Sequence, residues 1–594
     1  MAELRMIDGI PVDPMVKETT TASEDFKKNI LSNRRYVDKT HLLIPLLRGD
    51  HETTFFLRPR RFGKTLTLSM IRYFVEDTRK EEENAQNRDL FDGLKIMTAG
   101  VFYTRQMTAY PVINLTFQAV KSEESFKDAY DALVAEIQDE YERHAWLLES
   151  DGLTERNRLY FRRVMMGLDE RTGKQTSMAD YRLSLKRLSE FLRKATGKKT
   201  VVLIDEYDVP LEKAYQGGYY KKMIGILSPL LQNVLKTNSE NLQFAVVTGC
   251  LRIAKESIYT GLNNPEVNTV LSDSLSDVIG FTEKETAQLL ADSGFPDHFE
   301  EVRDWYDGYR FGTTKIYNPW SVIRHIEELS ANPNAQPGQH WAGTSENAII
   351  REMAAKGSPE VKAKVECLLQ GESIPFAGRD NIVYAELDYH DDNVFNVMLH
   401  TGYLTAVARD SDTITAVIPN REVHKIYRDQ IRGWFEESVK LFDVRRLYTA
   451  LERGDAEGFR ELLVGQFMVS MSYFDTQEAY YHGMLLALLA QNTAFRVSSN
   501  RESGSGRFDL QCAEIVKRRN AFVLEVKISS TRKAMSADAL RGARQARTKK
   551  YAIEALREGY ACVRTYGIAF HAKDCSVCAG TVYSQADLKT LILK

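Results

Sequence analysis

The chain has little of what would mark a membrane, secreted or fibrous protein. Its apolar runs are short, with Met484-Leu-Leu-Ala-Leu-Leu-Ala490 among the longest, where a bilayer span needs roughly 20 residues. The N-terminal stretch MAELRMIDGIPVD has no apolar core of the kind a secretory signal carries, so no membrane association and a cytoplasmic location are expected. Cysteine is scarce: six residues, at positions 250, 367, 512, 562, 575 and 578, among 594. So few do not make a disulfide scaffold. Only Cys575 and Cys578 are close, with His571 upstream. Without a second CxxC they lack the four ligands of a structural zinc site, and reduced thiols are expected. Charge of one sign is also missing. Lys+Arg 79 against Asp+Glu 82 leaves a net −3. That excludes a histone-like protein that holds nucleic acid through bulk charge, so any polyanion site must be a local patch. No internal repeat and no long low-complexity tract is present.

What is present is a globular composition, 43% apolar and 27% charged, over a length that suits about four domains of roughly 150 residues. Ala331-Asn-Pro-Asn-Ala-Gln-Pro-Gly338 is rich in breakers and reads as a linker. Before it, Thr200-Val-Val-Leu-Ile204 and Leu242-Gln-Phe-Ala-Val-Val247 read as buried strands separated by helical pattern. This arrangement points to a parallel α/β sheet. Thr282-Glu-Lys-Glu285 is a capping box that opens a helix, the start of a helical appendage. After the linker, Gly402–Ala408 and Thr413–Ile418 flank Arg409-Asp-Ser-Asp412 and read as a β-hairpin, compatible with a winged-helix-like module.

Phe55-Phe-Leu57 leads into Arg58-Pro-Arg-Arg-Phe-Gly-Lys-Thr65 and then helical Leu66-Thr-Leu-Ser-Met-Ile71. A strand, a Gly-Lys-Thr loop and a helix form the context of a phosphate-binding loop. Backbone N–H groups of Phe62, Gly63, Lys64, Thr65 and Leu66 at the helix start would cradle phosphate oxygens. Lys64 would reach the β and γ phosphates, and the Thr65 hydroxyl would ligate Mg²⁺. The first glycine of the usual pattern is replaced by Arg58. Val201-Val-Leu-Ile-Asp-Glu206 is a buried strand that ends in two carboxylates: Asp205 to hold Mg²⁺, Glu206 to polarise an attacking water. The alternative is a strand that merely exits into a polar loop. Thr248 ends the next strand where a polar residue would sense the γ-phosphate, and Arg252 would touch phosphate or a neighbouring subunit in a homo-oligomer, or form a surface ion pair. Arg58, Arg60 and Arg61 would add charge beside the phosphates, one of them as a built-in arginine finger, or would only anchor the loop.

A second constellation stands near the C-terminus. Ser503-Gly-Ser-Gly-Arg-Phe-Asp509-Leu510 precedes Ala521-Phe-Val-Leu-Glu525-Val-Lys527. Residues 521–527 read as a strand, so Glu525 and Lys527 share one face. If residue 509 lies on a hairpin partner, Asp509 and Glu525 would bind Mg²⁺ or Mn²⁺, and Lys527 would position water or stabilise charge. Glu478 would add a third carboxylate, or lie on a solvated helix face, and His482 is more simply a packed or capping histidine. Residues 532–557 carry eight Lys/Arg against two Asp/Glu. Arg541, Arg544 and Arg547 form a helical stripe beside Gln545, suited to a phosphate backbone.

These motifs together resemble bacterial proteins that pair an AAA-ATPase-like domain with a C-terminal PD-(D/E)XK nuclease-superfamily domain. The front resemblance rests on Tyr36-Val-Asp-Lys-Thr40, the Arg58–Thr65 loop, Leu203-Ile-Asp-Glu-Tyr-Asp208, Thr260-Gly-Leu-Asn-Asn264, Trp305-Tyr-Asp-Gly-Tyr-Arg-Phe-Gly312 and Tyr317-Asn-Pro-Trp320. The rear resemblance rests on Tyr481-His-Gly483, the Ser499–Leu510 segment, Glu525-Val-Lys527, and Gln545 six residues before Tyr551. The resemblance implies an α/β fold class. An AAA-like P-loop NTPase domain would span residues 1–280, a helical lid 281–330, a winged-helix-like module 331–445, and a restriction-endonuclease-like domain 446–594. It further implies Asp509, Glu525 and Lys527 as catalytic, with Gln545 supporting, and treats arginine in place of the first loop glycine as usual. Ala546 departs from the pattern, since an aliphatic residue usually stands there. The function implied is an ATP-binding, Mg²⁺-dependent nuclease acting on DNA ahead of RNA, with defence against foreign nucleic acid as its setting. The rivals are a nucleotide-gated binding or signalling switch that does not cut, and a general remodelling ATPase.

Overall fold

The structure is a computed structural model. It describes residues 5–7, 10–12, 19, 23–122, 125–169, 171–252, 265–341, 358–369, 371–379, 391–440, 444–470, 481, 485–486, 488–503, 506–571 and 574–593. Contacts divide the chain into two units, Met1–Ser345 with Gly371–Ile426, and Glu346–Gln370 with Tyr427–Lys594. Among the described residues no helix is long and apolar enough to cross a membrane.

The first unit begins with a small antiparallel hairpin, β1 (Arg5–Ile7) and β2 (Ile10–Val12). Its main sheet contains β3 (Thr53–Leu57), β4 (Val112–Thr116), β5 (Thr200–Asp205), β6 (Leu242–Gly249) and β7 (Glu266–Asn268). All pairs are parallel, in the order β4-β5-β6-β3-β7. The strands expected at 55–57, 200–204 and 242–247 are all in this sheet. Every residue of β3 and β5 is buried, as expected where helices cover both faces of a parallel sheet. β6 lies between β3 and β5, so the carboxyl ends of these three strands are neighbours. The edge where the chain order reverses is where open α/β sheets bind ligands.

The segment expected to be a helical lid is mixed. It contains β8 (Phe281–Thr282), β9 (Tyr309–Phe311) and β10 (Thr314–Tyr317) as an antiparallel sheet of order β8-β10-β9. The helices Glu283–Asp292, Phe299–Tyr306 and Pro319–Ala331 accompany it. Strands of two to four residues are too short to show a period in sequence. The capping box is present: Thr282 accepts from the Glu285 N–H, and the Glu285 carboxylate accepts from the Thr282 N–H. Glu285 also pairs with buried Lys39 at 2.6 Å, so the Tyr36–Thr40 motif fastens the N-terminal segment to this helix.

The hairpin after the linker forms as β12 (Thr405–Asp410) and β13 (Thr413–Val417), with β11 (Ile374–Ala377) beside β13. It does not form a separate module with all of 331–445. The Arg310 N–H donates to Thr405 Oγ1 at 3.0 Å. Glu422 accepts from the N–H groups of His340 and Trp341 and from the Ser321 hydroxyl. These bonds join 371–426 to the first unit.

The second unit has one five-stranded sheet in chain order: β14 (Phe495–Ser503), β15 (Gly506–Glu514), β16 (Asn520–Ile528), β17 (Cys562–His571) and β18 (Asp574–Ser584). Only β16 and β17 are parallel. A parallel pair needs a crossover, supplied by helices Met535–Thr548 and Ala552–Arg557. Alternation along β16 divides the core. Phe522, Leu524 and Val526 enter one cluster with Leu510, Ile568 and Phe570. Ala521 and Val523 enter the other, with Ala546 and Tyr551. Glu525 and Lys527 continue the second face.

Helix Met535–Thr548 meets the sheet through small residues: Ala539, Gly542, Ala543 and Ala546 are buried. Gly567 on β17 lies directly beneath it, and a Cβ there would strike Ala539 O and Ala543 N. Ala546 is therefore small because the helix sits this close. Gly567→Ala is expected to lower stability by about 1–3 kcal/mol through overpacking, read as a lower denaturant midpoint, whereas Gly559→Ala, with open space around the new methyl, would report only its backbone strain.

Candidate active sites

In the first unit, β3 ends at Leu57 and the loop runs to Gly63, whose φ of 94° in the left-handed region suits glycine as the cap of helix Lys64–Val75. The loop is pinned from outside. The Phe62 side chain is buried, edge-on to Tyr309 at 5.0 Å and tilted against Phe311 at 5.4 Å. Its carbonyl accepts from the Gly280 N–H at 3.1 Å. Of the two roles expected for Arg58, charge beside phosphate or anchor of the loop, its contacts are those of an anchor. It is fully buried, donates to the carbonyls of Thr269 and Leu275, and lies over the Phe311 ring at 4.5 Å. Burial pushes its pKa down to about 9, so it stays charged at neutral pH. The residue in place of the first glycine is held as an anchor of the loop. Arg60 pairs with Glu212 at 2.8 Å. Arg61 donates to the His340 carbonyl at 2.7 Å and stacks on Trp320 at 4.8 Å. Both are engaged with neighbouring elements. Leu66 is a half-buried residue of the helix.

Inside this frame Lys64 is buried, and its Nζ donates to the carbonyls of Arg58 and Pro59, each at 3.1 Å. Burial opposes its charge, but Cys250 and the carboxylates of Glu206, Asp205 and Asp208 outweigh that and raise its pKa. The Thr65 hydroxyl donates to Asp205 Oδ2 at 2.6 Å. Asp205 Oδ1 accepts from the Thr248 hydroxyl and from the Glu206 N–H. Lys64, Thr65, Asp205 and Thr248 thus converge from three strand ends. A hydroxyl and a carboxylate side by side are the oxygen donors a hard divalent cation takes. Glu206 has φ 53°, rare for a residue with a side chain. Burial, and then Asp205 and Asp208 against the opposing pull of Lys64, raise its carboxyl pKa. Arg252 is half-buried at the end of the described stretch.

Sequence reasoning quoted Asp208 but gave it no role. It is buried, and its Oδ2 accepts from the N–H groups of Cys250 and Leu251, each at 2.8 Å. It therefore fixes the chain just past Thr248. Cys250 was missed as well: its Sγ lies 3.7 Å from Lys64 Nζ. A cleft of about 210 Å³ lined by Arg72, Glu76, Arg79, Arg143 and Trp146 lies at the far end of the Lys64–Val75 helix. Arg72 and Arg143 both pair with Glu76 there, and Arg79 lies over the Trp146 ring.

In the second unit the register Leu510↔Leu524 would, one step on, set Asp509 opposite Glu525. There the ladder gives way: Asp509 Oδ2 accepts from the Val526 N–H at 2.7 Å. Glu525 is almost wholly buried, and its Oε1 accepts from Lys527 Nζ at 2.9 Å and from Gln545 Nε2. Gln545 also hydrogen-bonds Tyr551. Glu525 Oε2 is buried with no hydrogen-bond partner among the described residues. Burial, and then the neighbouring Asp509 charge, push the Glu525 pKa up to about 7 against the pull of Lys527 and Gln545. An orphaned, buried carboxylate oxygen next to a second carboxylate is a donor set that fits Mg²⁺ or Mn²⁺. The pair Gly542 and Gly567 sets how close Gln545 comes, a contact across the fold with no local signal. Arg541, Arg544 and Arg547 are exposed, on the helix face opposite its buried alanines. Glu478 and His482 lie outside the described residues. Tyr481 is buried and stacks on Phe570 at 4.5 Å.

In the metal-free protein the folded Glu525 holds its proton to higher pH than in the unfolded chain. Its contribution to stability is full below about pH 4.5, the ordinary carboxyl value, and is lost as pH rises to about 7. Comparing urea unfolding of wild type and Glu525→Gln across that window is expected to show a loss of about 3 kcal/mol in wild type that the variant lacks. Parallel curves would contradict it.

Residues 21–259 match the family described as predicted AAA-ATPase, and residues 476–580 match the PD-(D/E)XK nuclease superfamily. A curated relative, the uncharacterized protein in the vnfD 5' region of Azotobacter chroococcum mcd 1, is 26% identical over 300 residues, covering 50% of this chain and 49% of the relative. The chain thus spans about half the length of that relative.

Proposed function

This chain pairs an AAA-ATPase-like domain with a PD-(D/E)XK nuclease-superfamily domain, and from that pairing we propose an ATP-binding, ATP-hydrolysing protein whose nucleotide state regulates a metal-dependent nuclease. The substrate is DNA in the first place and RNA in the second. The protein acts in the cytoplasm, in defence against foreign nucleic acid. The observation that carries the reading is the orphaned Glu525 Oε2 beside Asp509, with Lys527 and Gln545 on the other oxygen.

Asp509 and Glu525 would hold the divalent cation, which supplies charge neutralisation at the phosphate and a bound water of lowered pKa. Gln545 and Lys527 fix the rotamer of Glu525. In the attack, water oxygen bonds to phosphorus as its proton passes to solvent, the bond to the leaving sugar oxygen breaks and that oxygen takes up a proton, and Lys527 faces the oxygens on which charge collects. Arg541, Arg544 and Arg547 meet backbone phosphates, so binding weakens as salt rises. In the front unit, Lys64 exchanges its two loop carbonyls for phosphate oxygens, and the helix start supplies N–H donors. Thr65 and Asp205 would hold the nucleotide's Mg²⁺. Glu206 orients the attacking water, Thr248 reports the γ-phosphate through Asp205, and Arg252 contacts phosphate or a second copy of the chain.

Plasmid, linear DNA and RNA are incubated with Mg²⁺ or Mn²⁺, with and without ATP. Wild type is expected to give products, and Asp509→Ala, Glu525→Ala and Lys527→Ala to lose about 100-fold or more in rate. Lys64→Ala is expected to lose ATP binding in a filter assay and with it the ATP dependence of cleavage. Equal behaviour of wild type and the rear variants on every substrate would refute the nuclease. Tight metal-independent binding without products would leave a nucleotide-gated switch.

A further inference from the structure

Three histidines and two glutamates gather in the first unit. His325 and Glu328 are three residues apart on helix Pro319–Ala331, so they share a face. His340 comes from the stretch after the helix. His325, Glu328 and His340 each offer a ligand atom, all within 4.8 Å of one another, and His298 and Glu301 do the same with His325.

The histidines are built in at a cost. The His325 side chain has no exposed surface, and neither ring nitrogen has a hydrogen-bond partner among the described residues; His340 Nε2 is orphaned in the same way. Burying a polar nitrogen without a partner costs about 1–3 kcal/mol. Glu328 Oε2 stands 3.5 Å from His340 Nε2 and 3.9 Å from His325 Nδ1. Two ligands on one tetrahedral zinc ion, with bonds of ~2.0–2.1 Å, are about 3.3 Å apart. These atoms are near that spacing already. His298 is less available, because its Nδ1 is hydrogen-bonded to Glu301 at 2.9 Å.

We propose that His325, Glu328 and His340 form a binding site for one divalent transition-metal ion of zinc's class. Two imidazoles and a carboxylate suit zinc, with a fourth position left to water. The site is tied to the nucleotide loop by backbone: the His340 carbonyl accepts from Arg61 at 2.7 Å and from the Trp320 indole at 2.9 Å, and the His340 N–H donates to Glu422 at 2.6 Å. An ion on His340 therefore braces the segment that holds Arg61. This inference does not rest on the nuclease reading.

The test uses the full chain carrying Glu525→Gln, which weakens the rear cation site. Chelator-stripped protein is titrated with Co²⁺, read by its visible d–d bands, and with Zn²⁺ against a chromophoric chelator. One equivalent is expected, without a thiolate charge-transfer band, which separates it from a cysteine site. His340→Gln and Glu328→Gln are expected to weaken binding beyond the roughly 10–100-fold seen for outer-shell partners. His298→Ala is expected to keep it. Circular dichroism of each variant separates loss of ligand from loss of fold, and a pair of variants avoids dependence on buried His325. No cobalt spectrum in the parent, undiminished binding in both folded variants, or loss only with His298→Ala would overturn the proposal.

Discussion

Both units hold acidic side chains on buried strands, where a bare charge is expensive, and each meets that cost differently. Asp205 has both oxygens taken, one by the Thr65 hydroxyl and the other by the Thr248 hydroxyl and the Glu206 N–H. The front site is self-satisfied at rest, so a nucleotide and its cation must replace bonds that already exist. Glu525 has one oxygen taken by Lys527 and Gln545 and the other left without a partner. The rear site leaves one buried carboxylate oxygen without a hydrogen-bond partner among the described residues. This asymmetry fits a front unit that switches and a rear unit that waits for metal.

The phosphate loop follows from the same economy. Arginine replaces its first glycine, and that side chain fills a buried slot against Phe311 and two carbonyls. Phe62, Arg60 and Arg61 are likewise tied to neighbouring elements. The loop is shaped by what surrounds it, and in the proposed function Lys64 and the helix start face phosphate. Asp208, holding two successive N–H groups past Thr248, does for the third strand end what the aromatic wall does for the loop.

Much of this was legible because strong periodicity and charge placement act locally. The buried runs at 200–204 and 242–247, the capping box at Thr282 and the two-residue spacing of Glu525 and Lys527 all translate directly into elements and faces. Contacts made across the fold were not legible. Arg58 reads as either a phosphate ligand or a loop anchor until Phe311, more than two hundred residues on, is seen beneath it. The sheet β8-β10-β9 is built from strands too short to have a pattern. Gly567 is an ordinary strand residue until helix Met535–Thr548 lies on it, and the histidine group needs a helix and a distant loop to meet. The departure at Ala546 resolves in the same way: a larger side chain would lift the helix and Gln545 with it.

The central claim is that Asp509 and Glu525 close on one divalent cation. Its most direct test is a crystal of the full chain soaked in Mn²⁺, examined by anomalous scattering. The account predicts a peak contacted by an Asp509 oxygen and by Glu525 Oε2, at ligand distances of about 2.0–2.3 Å, absent in Glu525→Ala. Manganese bound elsewhere in the second unit, or no peak at saturating metal with Glu525 Oε2 still unpartnered, would contradict it.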